Sequence, residues 1–64
     1  MIQIDYVYAT NVIINYENKE EEHTVGTLGY IADHVCEILV KKNYKWADVM
    51  DEETGEILII LNRE

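Results

Sequence analysis

A lone cysteine, Cys36, leaves this chain without the means to staple itself by an internal disulfide. That argues against the small secreted architectures in which cross-links replace a core, and it fits a reducing compartment such as the cytoplasm. Proline is absent, and with it any proline-rich linker. The three glycines, Gly26, Gly29 and Gly55, do not make a phosphate-cradling loop. The longest apolar run, Ile57 to Leu61, falls far short of the roughly 20 residues of a membrane-crossing helix. The opening Met1-Ile2-Gln3-Ile4-Asp5 has no basic start followed by an apolar stretch, so it does not read as a secretory leader.

Basic residues are also scarce. Five Lys and Arg stand against 13 Asp and Glu, a formal net charge of -8. A surface this negative repels nucleic-acid phosphates and anionic lipid, so direct binding to either is disfavoured. The acids fall in two groups, Glu17, Glu20, Glu21 and Glu22, then Asp48, Asp51, Glu52, Glu53 and Glu56, and both surround expected turns. Charged turns keep a small domain soluble and discourage edge-to-edge aggregation. The same groups would also serve as an electrostatic docking surface for a basic partner.

What the chain does have is core material. Hydrophobic residues make up 48% of its 64 residues, enough for one packed domain spanning 1–64 and too little for two cores. The usage of Ile, Asn, Lys, Glu and Tyr with no Pro or Phe resembles that of AT-rich genomes, a compositional pointer to bacteria or their phages.

Periodicity outlines the elements. Ile2, Ile4, Tyr6 and Tyr8 alternate with the residues between them and predict a strand, which Thr10-Asn11 interrupts. Val12, Ile14 and Tyr16 predict a second extended segment, paired with the first as a hairpin or continuing it past a bulge. Residues 17–23 read as a surface loop, with a short strand at 22–25 returning from a turn at Asn18-Lys19 as the alternative. Leu28, Ile31, Ala32, Val35, Cys36 and Leu39 form one apolar stripe and predict a helix over about 26–42, capped by Thr24 or Thr27 and leaving through Asn43. Tyr44 to Met50 and Glu56 to Asn62 predict a hairpin around Asp51-Glu52-Glu53-Thr54-Gly55, with Gly55 left-handed. Continuous apolarity from Ile57 to Leu61 implies that the last strand is central or covered on more than one side. The fold class is therefore α+β: a small antiparallel sheet of three or four strands, in ββαββ order, with one amphipathic helix on one face.

Chemistry-bearing residues are few. His23, His34 and Cys36 have no metal-ligand spacing, and the acidic turn lacks the spaced oxygens of a calcium loop, so neither metal nor cofactor is expected. Cys36 reads as a core residue, His34 as lying on the solvated side of the helix, and His23 as an exposed loop residue. No nucleophile, paired acid and base, or cleft-forming pattern points to an enzyme. The expectation is a protein-binding module, including the case of an acidic inhibitor or regulator that docks on a basic, nucleic-acid-binding protein. Glu20, Glu21, Glu22, Asp51, Glu52 and Glu53 are its candidate charges, and Tyr44 and Trp46 its candidate anchors. The alternative is a subunit of a homo-oligomer, such as a homodimer, joined through an edge at Val12, Ile13 and Ile14, with acidity serving solubility.

Overall fold

The computed structural model describes residues 9–63. The expected strand at Ile2, Ile4, Tyr6 and Tyr8 lies outside them. Within them the chain forms β1 (Thr10–Tyr16), β2 (Glu21–Gly26), α1 (Leu28–Lys41), β3 (Trp46–Asp51) and β4 (Ile57–Asn62). The ββαββ order and the α+β class hold. All neighbours are antiparallel, and the sheet order is β2-β1-β3-β4.

The first hairpin of the described residues joins β1 to β2, while the expected pairing of the second extended segment with the strand at Ile2 to Tyr8 lies outside them. Thr10 and Asn11 do not interrupt β1: they pair with Gly26 and Val25. The polar stretch after Tyr16 turns sharply and returns as β2. Lys19 takes the left-handed conformation, the Lys19 N–H donates to the Tyr16 carbonyl at 2.9 Å, and the Asn18 side-chain oxygen accepts from the Glu20 N–H at 3.0 Å. Asn and Asp favour such turns because their side chains stand in for a backbone acceptor. The alternative strand returning from Asn18-Lys19 is thus the one formed, and it is longer than 22–25.

The helix begins after Thr27, whose hydroxyl accepts from the Tyr30 N–H at 3.2 Å. It ends in a Schellman arrangement: Asn43 is left-handed, its N–H reaches the Val40 carbonyl, and the Tyr44 N–H reaches the Leu39 carbonyl at 2.9 Å. The second hairpin closes as expected, with Gly55 left-handed and Asp51 accepting side-chain bonds from the N–H groups of Glu53 and Thr54. Its ladder shifts register between Val49↔Ile59 and Met50↔Ile57, so Leu58 is an extra, bulged residue.

One face of the sheet meets the helix. Val12, Ile14 and Tyr16 of β1 and Ala47 and Val49 of β3 are buried against Ile31, Val35 and Leu39. Leu58, Ile59 and Leu61 flank this core in part-buried positions. Three expectations are corrected. Cys36 is exposed, because the buried stripe is narrow and position 36 sits a step of about 100° around the helix from Val35. Among the described residues β4 is an edge strand, not a central one, and Ile57 stands 54% exposed. β1 is interior, so Val12, Ile13 and Ile14 are no free edge.

Val35 is fully buried in this core. Val35→Asp should therefore destabilise the domain by about 3–5 kcal/mol and unfold it, as an unpaired carboxylate in an apolar core does. Circular dichroism melts check this, and a near-wild-type melting temperature contradicts the helix placement.

Candidate functional site

Strand alternation sorts the acidic residues before any partner is considered. In β2, Glu22 pairs with core-facing Ile14 and so looks toward the helix, whereas Glu21 and His23 pair with Asn15 and Ile13 and look to the opposite face. Consecutive glutamates thus belong to different surfaces.

The helix side carries a polar seam. The Tyr16 hydroxyl donates to Glu22 Oε1 at 2.9 Å, and His34 Nε2 meets Glu22 Oε2 at 2.8 Å, so one carboxylate bridges sheet and helix. Next to it, Glu20 accepts from the Tyr44 hydroxyl at 2.9 Å and from Lys42 Nζ at 3.2 Å. The rings of Tyr16 and Tyr44 lie 5.5 Å apart and tilted, an attractive aromatic geometry. Glu17 accepts from the Lys45 N–H and ties the same turn to the start of β3. His34 is accordingly not a free, solvated residue but half-buried at the seam. Burial and then the bond to Glu22 push the Tyr16 hydroxyl well above the ordinary tyrosine value. The bond from Tyr44, followed by those from Asn18 and Lys42, holds Glu20 below the ordinary glutamate value.

No helix among the described residues covers the other sheet face. Cross-strand register places His23, Ile13, Met50 and Ile57 in one row and Glu21, Asn15, Asp48 and Ile60 in the next. The face is therefore graded, polar toward β2 and apolar toward β4. Asn15 donates to Asp48 at 2.9 Å in its middle. Ile57, Ile60 and Trp46 are 54%, 61% and 40% exposed. His23 is on a strand rather than a loop, 3.1 Å from Glu52 and 3.8 Å from Glu21, and links the two acidic groups along the rim.

The candidate residues thus divide. Glu20, Glu22 and Tyr44 belong to the seam, with Tyr44 packed against the core. Glu21 and Trp46 belong to the open face, and Glu52 reaches it through His23. Asp51 and Glu53 are occupied in the turn, where Asp51 binds the Glu53 N–H. The two acidic turns close at opposite ends of β1, since Asp51 pairs with Val12 while Glu20 closes the turn beyond Tyr16, but Glu21 and Asp48, one from each group, flank Asn15 in the same row. Ile57 and Ile60 are surface residues whose only signal in the sequence is the unbroken apolarity of β4, a pattern that also fits a central strand or one covered on more than one side.

The seam makes stability depend on pH in two opposite senses. Tyr16, Tyr44 and Lys42 all have pKa values raised by folding, so each holds its proton more tightly when folded. Their stabilisation is complete below the unfolded values and is lost as pH rises, so the melting temperature should fall above the ordinary tyrosine value of 10. Glu20 is lowered, so its contribution is present above 4.5 and is lost as pH falls below it. Tyr16→Phe should cost about 1–2 kcal/mol at neutral pH and flatten the alkaline decline. Melts of both proteins across pH check this, and an unchanged alkaline slope in the variant contradicts it. Compared with known proteins, the chain matches no family model, no curated protein and no solved structure.

Proposed function

We propose that this domain is a non-enzymatic protein-binding module that receives a basic protein on its open sheet face. One observation carries the reading: Trp46, Ile57 and Ile60 are exposed together on a face that no helix among the described residues covers, with Asp48 in its middle and a rim that holds Glu21 and Glu52. An apolar centre with a charged rim is the anatomy of protein interfaces, in which aromatic anchors carry affinity and rim charges carry encounter rate. A net charge of -8 favours basic partners, nucleic-acid-binding proteins among them. The carboxylates are split between two ends and two faces of the sheet, so the proposal rests on the apolar centre with its rim and does not require mimicry of a phosphate chain.

The test separates the two halves of the face. With a basic partner protein in hand, Glu21→Gln combined with Glu52→Gln should slow association, and added salt should do the same by screening beyond about 8 Å. Trp46→Ala should instead speed dissociation and weaken binding by about 2 kcal/mol. Stopped-flow or surface-resonance kinetics measure both. Affinity indifferent to salt, to the rim charges and to Trp46 contradicts the proposal.

A further inference from the structure

The open face is divided lengthwise. Its large apolar positions, Met50, Ile57, Ile60 and Trp46, lie on β3 and β4. Its exposed carboxylates, Glu21 and Glu52, meet at His23 on β2, 3.8 Å and 3.1 Å from the imidazole. Each cross-strand row runs from polar on β2 to apolar on β4, so the boundary between the two halves follows the strands. Resting on the protein-binding reading of this face, we infer that the element docking there is an amphipathic α-helix with a basic flank, laid along the strands.

The direction of that boundary selects a helix. Side chains at three- and four-residue spacing line up along a helix axis, so an apolar stripe and a basic stripe run side by side for its whole length. Successive side chains of a strand point to opposite sides, so a single strand laid on the sheet offers it one row and cannot meet both halves at once. The dimensions agree. β3 and β4 have six residues each, about 20 Å, which a helix of about 14 residues matches. A helix is about 10 Å across, so one seated on Ile57, Ile60 and Met50 leaves the long side chain of a Lys or Arg on its flank to cross β1 toward Glu21.

Charge decides against a second copy as the occupant. The rows of Ile13 and Asn15 across the four strands contain no Lys or Arg. Two open faces stacked on each other would set Glu21 and Glu52 over like charge or over the apolar half, with no Lys or Arg of either face to pair them. A basic flank supplies that pairing, and an apolar stripe covers the isoleucines and Trp46 in the same contact.

Synthetic peptides of about 14 residues, free of aromatic residues, test this against the full chain at low concentration. Trp46, the only tryptophan, reports docking as a blue shift of its emission. A helical peptide with a leucine stripe and lysines on one flank should bind with saturation. Moving the same lysines to the back of the helix should weaken binding about fivefold, and two central prolines, which break the helix, should abolish it. Glu21→Gln with Glu52→Gln should weaken the flank-lysine peptide about fivefold and leave the back-lysine peptide unchanged. Asp33→Asn with Glu37→Gln, on the exposed side of α1, should change neither. Binding that tolerates the prolines, ignores lysine placement or responds equally to the α1 variant overturns the inference. A Trp46 already shielded in the free chain means that a second copy or the chain's own first eight residues hold the face, and overturns it too. If the flank-lysine peptide fails while a folded basic protein still shifts Trp46 emission, the helix falls and the binding module stands. If both fail, both readings fall.

Discussion

One helix cannot cover both faces of a four-stranded sheet, and the rest of this structure follows from that constraint. The 14 residues of α1 make a rod about 21 Å long, enough to bury Val12, Ile14, Val49 and their neighbours on one side. Each fully buried aliphatic side chain there contributes about 1.5–3 kcal/mol before the entropy of ordering the chain is subtracted. The opposite face receives nothing from α1. It carries Ile13, Met50, Ile57, Ile60 and Trp46, residue types that a sheet solvated on one side usually keeps inside.

The seam is the second consequence. With a small core, the helix is registered on the sheet by polar contacts at its flank as well as by packing. Glu22 does this by taking one bond from Tyr16 below it and one contact from His34 above it. No buried side-chain polar atom among the described residues lacks a partner, so the seam is satisfied rather than strained. A carboxylate committed in this way is a poor docking charge. On the open face the negative charge left for partners is therefore on the exposed Glu21 and Glu52 of its rim.

Local patterns in the sequence were sufficient for the helix and the second hairpin. Leu28, Ile31, Val35 and Leu39 repeat at the helical period and are all buried, and Asp51 to Gly55 contains the turn chemistry that closes the loop. Features set by distant contacts were less legible. β2 reads as polar loop because only Val25 in it is strongly apolar, and its strand state comes from pairing with β1. The role of Glu22 depends on His34, 12 residues away, and no local pattern announces such a contact. In β4 the apolar run had a different meaning from burial on both sides: a bulge at Leu58 turns part of it to the core, while Ile57 and Ile60 face out. The candidate site was half legible for the same reason. Charges and aromatics were visible as types, and the faces they occupy were not.

Trp46 offers the most direct check on the one-sided sheet, because it is the only tryptophan and stands on the open face at 40% exposure. Its fluorescence in the native monomer, held at low concentration, can be titrated with a neutral quencher and compared with the unfolded chain. The account predicts emission characteristic of a partly hydrated indole and quenching at a substantial fraction of the unfolded rate. A blue-shifted emission that the quencher barely reaches would mean that this face is covered in the monomer, and would contradict the claim that it is free to bind.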